Sequence, residues 1–131
     1  MGEEGQPVRL QREASGLAVL TLDNPPLNLF DQGLIDALRR AIADVAAEPP
    51  RALLIRAENR AVSGGVDVHV FDGLTPEQGS ALWVELLGMI EALETLPAPV
   101  VFAAHALTLT AAFELSLACD LIVASPKAKF G

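Results

Sequence analysis

Four short apolar runs, LAVLTL (17–22), ALLIRA (52–57), VVFAA (100–104) and LIVA (121–124), are separated by segments whose apolar residues recur at helical spacing. Of all the features of this chain, that alternation restricts its fold the most. Strands joined through helices re-enter a sheet from the same end, so they pair in parallel and build an α/β domain. One strand departs from this scheme. VRLQRE (8–13) reaches LAVLTL through Ala14-Ser15-Gly16, a turn short enough to predict an antiparallel β-hairpin.

The helices announce their own ends. Asp31 is placed to cap a helix carrying Leu34, Ile35, Leu38, Ile42 and Val45 on one face, and Pro49-Pro50 stop it. Thr75-Pro76-Glu77-Gln78 is a capping box with proline at the first helical position. The helix it opens is expected to run to about Leu96, with Leu82, Leu86, Met89, Ile90 and Leu93 inward and Pro97 and Pro99 beyond. TAAFELSLAC (110–119) reads as a short apolar helix. Between the first hairpin and the first helix, DNPPLN (23–28) breaks all regular structure, because proline lacks an N–H and restricts the residue before it.

Composition narrows the function. The chain has 131 residues, 51% of them hydrophobic, and a mean hydropathy of +0.38. Arg, Asp, Glu and Pro interrupt every apolar run before it is long enough to span a bilayer, so the excess hydrophobicity points to an oligomer or to part of something larger. The acidic start, MGEEGQPVRLQRE, has no apolar core and does not resemble a secretory signal; the cytoplasm is the expected location. A net charge of −8 argues against a nucleic-acid surface. The lone Cys119 precludes an intrachain disulfide and a cysteine-based metal site.

Two stretches share one arrangement, LLIRAENRAVSGGVD and VVFAAHALTLTAAFE. Each is a buried strand, an irregular turn of small residues and a helix start. Small residues let backbone N–H groups approach a ligand, and a helix N-terminus adds positive potential. If the turns face each other, their amides form an oxyanion hole; otherwise they are two tight strand-to-helix turns. Glu114 lies in the apolar stretch AAFELSL, where a carboxylate is rare without a partner or a function, and burial there would suit proton transfer.

TLDNPPLN (21–28), AVSGGVDV (61–68), APVVFAAHALTLTAAFELSLACDLIVAS (98–125) and KAKFG (127–131) together resemble the enoyl-CoA hydratase/isomerase (crotonase) family, in its order and spacing. ELSLACDLIVAS followed by KAKFG is the most specific part. The resemblance implies the N-terminal portion of a crotonase-like ββα spiral, mostly parallel strands with flanking helices. It implies an acyl-CoA thioester as substrate, no metal or redox cofactor, and homo-oligomers. By position, Gly64 and Ala111 match the backbone N–H donors to the thioester carbonyl, and Glu114 matches a catalytic carboxylate. Ser63, Gly65, Asp67 and Thr110 then flank the substrate, with Ser63 a turn residue and Asp67 a cap.

This chain also departs from the family pattern. Thr110, Ala111 and Ala112 stand where many relatives have a glycine triplet, and Ala106 where a glycine is common. A second family glutamate falls beyond Phe130-Gly131, so residues 1–131 are expected to be a single crotonase-like domain truncated on its C-terminal side. Such a unit should expose apolar faces on its second and third helices and associate. Two rival readings stand beside catalysis of this kind: a silent acyl-CoA-binding or scaffolding piece, and a serine thioesterase using Ser63 with His105. Ser63 lacks the G-x-S-x-G elbow, and neither His69 nor His105 has a carboxylate or cysteine at metal-ligand spacing.

Overall fold

A computed structural model describes residues 5–131; the first four residues of the acidic N-terminal stretch lie outside the described residues. The elements are β1 (Val8–Arg12), β2 (Leu17–Leu22), α1 (Gln32–Ala47), β3 (Ala52–Ala57), a 3-10 turn (Val68–Phe71), α2 (Pro76–Glu94), β4 (Val100–Ala104), β5 (Leu107–Thr108), α3 (Ala111–Leu117), β6 (Leu121–Ala124) and β7 (Lys129–Phe130).

Five strands form one sheet in the order β1-β2-β3-β4-β6. The β1–β2 hairpin is antiparallel, with Val8 opposite Leu22 and Arg12 opposite Ala18. The remaining pairs are parallel, with Leu20 beside Ile55, Ile55 beside Phe102 and Phe102 beside Ile122. The alternation of runs and helices therefore predicts the sheet correctly. Strand period two is visible in burial: Leu53, Ile55 and Ala57 of β3, and Val100, Phe102 and Ala104 of β4, face the core, while their neighbours are half-buried.

The helices cover that inner face. Leu34, Ile35, Leu38, Ile42 and Val45 of α1 are fully buried, each worth roughly 1.5–3 kcal/mol against exposure. Asp31 caps α1 through a 2.8 Å bond from the Leu34 N–H. The capping box of α2 is present in both directions, Gln78 N–H to Thr75 Oγ1 at 3.1 Å and Thr75 N–H to Gln78 Oε1 at 2.9 Å. Cys119 is half-buried at the end of α3, and desolvation pushes its thiol up to about 12, which leaves it protonated and unreactive at neutral pH.

Three features go beyond the sequence expectation. The turn before α3 contains β5, which pairs with β7 in a second, two-stranded sheet. The run after AVSGGVD forms a single 3-10 turn, with the Asp67 carboxylate capping it through a 3.0 Å bond from the His69 N–H. LIVA is an edge strand with all four residues exposed. The expectation of exposed apolar helix faces is met: Trp83, Val84 and Leu87 of α2 are 50%, 69% and 63% exposed, and Leu117 of α3 is 62% exposed.

Candidate active site

The loop between β3 and the 3-10 turn is built around Asn28, a fully buried residue of the DNPPLN segment with φ 51. Its Nδ2 donates to the carbonyls of Glu58, Ala61 and Val62 at 2.7, 3.0 and 3.2 Å. Its Oδ1 accepts from the Asn24 N–H at 2.7 Å and from Asn59 Nδ2 at 3.0 Å. These partners fix the amide orientation and tie residues 23–30 to residues 58–62.

Ser63 is fully buried and continues the link. Its Oγ donates to the Asn28 carbonyl at 2.7 Å and accepts the Gly65 N–H at 3.0 Å. The hydroxyl shapes the turn from inside. Nε2 of His105 contacts the Asn59 carbonyl at 2.7 Å, so the two residues have different partners. The arrangement gives no support to Ser63 as a nucleophile.

Gly64 is expected to offer its N–H as a donor. In the structure that N–H donates to the Leu27 carbonyl at 2.8 Å, within the fold. The amide that faces the second turn is that of Val66, which donates to Thr110 Oγ1 at 3.1 Å. Between them, Gly65 has φ +104, and a Cβ added there would sit 2.5 Å from Thr110 Oγ1. The paired glycines thus answer to a turn and a close approach.

The second turn presents the N-terminus of α3. Among the described residues the Ala111 N–H has no acceptor, whereas Ala112 and Glu114 donate to the carbonyls of Leu109 and Thr110. Left-handed backbone falls on Thr110 (φ 45, ψ −112), while Ala106 and Ala111 have ordinary negative φ. Val66, Thr110, Ala111 and Glu114 share one cleft of about 90 Å³ with Trp83, Leu86, Leu87, Met89 and Ile90 of α2. Ala112, Leu115 and Ser116 turn the other face of α3 to the core. Glu114 is exposed and lines the cleft, not buried as its apolar flanks suggest, because the side of the helix that meets the core carries Ala112, Leu115 and Ser116.

The relatives of this chain agree with that architecture. The model for enoyl-CoA hydratase/isomerase matches residues 12–131. The chain belongs to the enoyl-CoA hydratase/isomerase family. It is 31% identical over 117 residues to a probable enoyl-CoA hydratase of Bacillus subtilis, covering 88% of this chain and 45% of that protein. It is 32% identical over 133 residues to the cyclohexa-1,5-dienecarbonyl-CoA hydratase of Thauera aromatica, covering 100% and 50%. The crystal structure of an enoyl-CoA hydratase from Mycobacterium smegmatis superposes with a TM-score of 0.88 at 28% identity, covering 95% of this chain and 50% of that one. The chain spans about half the length of these relatives, and within that half it has the crotonase fold. No helix among the described residues is long and apolar enough to cross a membrane, and no cluster of His, Cys, Asp and Glu among them could hold a metal ion.

Two substitutions test the frame around this cleft. Asn28→Ala strips two buried carbonyls and one part-buried carbonyl of their donor, each buried one costing about 1–3 kcal/mol, so urea unfolding should show a loss of about 2 kcal/mol or more. A loss under about 1 kcal/mol would mean the two loops hold together without it. Gly65→Ala combines the positive φ with the contact at Thr110 Oγ1 and should lower stability by about 1–3 kcal/mol. An unchanged denaturation midpoint would show that the loop accommodates a methyl group.

Proposed function

We propose that the cleft binds an acyl-CoA thioester and stabilises its enolate. The Val66 and Ala111 amides receive the thioester oxygen, and Glu114 moves a proton at the adjacent carbon. The observation that carries this reading is the convergence of Val66, Thr110, Ala111 and Glu114 on one cleft walled by apolar side chains of α2. Withdrawing a proton next to a thioester shifts negative charge onto its oxygen, and fixed N–H donors lower the energy of that charge without reorganising. Ala111 and Glu114 are three residues apart on one helix, so donor and carboxylate address the same substrate from the same face. The aliphatic wall excludes water from the acyl portion and suits an apolar acyl chain.

The reaction class proposed is the hydration or isomerisation named by the family, with the coenzyme A thioester as substrate and no further cofactor. A second reading, an acyl-CoA-binding unit without turnover, is favoured by one observation: among the described residues, Glu114 is the single carboxylate lining the cleft. Hydration calls for one group to activate water and another to protonate carbon, whereas moving a proton between carbons needs only one.

Glu114→Gln separates the two. If Glu114 transfers the proton, kcat for crotonyl-CoA hydration or for double-bond isomerisation should fall about 10²–10⁴-fold with KM nearly unchanged. Equal rates for the two proteins would remove Glu114 from the mechanism. Saturable butyryl-CoA binding without turnover in either protein would establish the binding-only reading.

The same reading includes self-association. The exposed apolar residues of α2 and the exposed β6 edge, with Leu121 and Val123, each offer apolar surface for association. Sedimentation velocity should show a species heavier than the 13.8 kDa chain. A monodisperse monomer at high concentration would contradict this.

A further inference from the structure

We propose that Thr110 is a built-in competitor for the ligand oxygen: its hydroxyl occupies the Val66 amide, and an incoming thioester must displace it. The inference rests on the reading of the cleft as an acyl-thioester site and adds a residue that sets affinity there.

Thr110 holds φ 45 and ψ −112, a region that a β-branched residue enters only under constraint. Such conformations persist where the surroundings over-determine them, and they gather at ligand clamps and switches. Here three bonds hold the residue. Its N–H donates to the Gly131 carbonyl at 2.7 Å, its carbonyl accepts the Glu114 N–H at 2.9 Å, and its Oγ1 accepts the Val66 N–H at 3.1 Å. Although Thr110 is the residue preceding α3, its side chain caps nothing in that helix. Its one side-chain acceptor bond reaches 44 residues back along the chain to Val66. The absent side chain of Gly65 makes the room, since a Cβ there would meet Oγ1 at 2.5 Å.

The consequence follows from counting donors. Val66 has one N–H, and without ligand that N–H is satisfied by Thr110. A thioester oxygen gains it only by exchange, so the net gain from this amide is reduced by the bond that is lost. Thr110 is exposed, and its displaced hydroxyl passes to water. One net hydrogen bond corresponds to about a two- to tenfold change in affinity. The effect belongs to the carbonyl oxygen alone. Free CoA, which lacks that oxygen, is indifferent to Thr110.

The test titrates butyryl-CoA and free CoA against the wild-type chain, Thr110→Ser, Thr110→Ala and Thr110→Gly by calorimetry, and follows the Val66 amide by NMR. Circular dichroism first establishes which variants are folded; Thr110→Ala keeps the Cβ, so the test does not depend on the glycine variant. The expected result is about two- to tenfold tighter butyryl-CoA binding by Thr110→Ala and Thr110→Gly, with Thr110→Ser near wild type and CoA binding equal in all four. The Val66 amide should exchange faster in the ligand-free alanine and glycine variants, and it should shift when butyryl-CoA is added. If the wild type binds butyryl-CoA and removing the hydroxyl leaves binding equal or weaker, the competitor role is overturned while the thioester site stands. If no form binds butyryl-CoA more tightly than CoA, and the Val66 and Ala111 amides do not respond, both the site and the competitor fall.

Discussion

The side-chain amide of Asn28 has five hydrogen-bond partners, the N–H of Asn24, the Nδ2 of Asn59 and the carbonyls of Glu58, Ala61 and Val62. Its own carbonyl receives the Ser63 hydroxyl. No β-ladder does this work, because residues 23–30 and 58–63 are irregular, and the Asn28 amide and the Ala61 and Val62 carbonyls meet in the buried interior. Unpaired, each such group would cost about 1–3 kcal/mol, so the two loops would otherwise be driven towards solvent. With Asn28 in place, residues 63–66 are held from below by Leu27, Asn28 and Phe30 and from above by Leu107 and Leu109. Everything the cleft offers from this side depends on that clamp. The Arg9–Asp23 ion pair at 2.6 Å steadies the outer end of the same segment, and the guanidinium holds the Asp23 carboxyl below the usual range.

Clamping one loop leaves the second turn to adapt. Gly65 and Thr110 are complementary in shape: one has no side chain and a positive φ, the other pushes a hydroxyl into the space that results. Local preference is broken at Thr110, while Gly65 and the surrounding helices and strands follow theirs. Departures of this kind concentrate where a fold is shaped by a ligand rather than by packing. The close contact also couples the two turns physically, since a change at either residue alters the room available to the other.

Most of the sheet could be read from the chain itself. LAVLTL, ALLIRA and VVFAA are apolar runs with strand length, and the residues between them switch to helical period, so parallel pairing follows from patterning alone. Asp31 and Thr75 mark helix starts because their side chains bond amides three residues ahead, a local interaction that sequence exposes fully. The family follows from ELSLACDLIVAS and KAKFG. Gly64 and Glu114 show where this legibility ends. The partners of the SGGVD amides, Leu27 for Gly64 and Thr110 for Val66, are remote in sequence, so the motif read locally does not show them. The burial of Glu114 depends on which side of a seven-residue helix meets the core, and a helix apolar nearly all round gives no local indication of that. Asn28 is illegible locally for the same reason: within DNPPLN it looks like any loop asparagine, and its partners are some 30 residues away.

Side chains and backbone have opposite assignments in this loop, and that explains why it contains small residues. The Ser63 hydroxyl, which is chemically the most reactive group in SGGVD, is buried and saturated by Asn28 and Gly65. The Asp67 carboxylate caps the following 3-10 turn. With the reactive side chains serving the turn, what remains facing the cleft is peptide N–H. A peptide donor has no rotamers to lose and is oriented by the chain on both sides, so it can be aimed with less entropic cost than a serine or lysine. Its identity is also insensitive to the residue that carries it, so in the proposed reading a valine at position 66 or an alanine at position 111 serves as well as glycine, provided neither residue must enter the left-handed region. At position 110 that proviso fails: Thr110 takes φ 45, and its hydroxyl accepts the Val66 N–H.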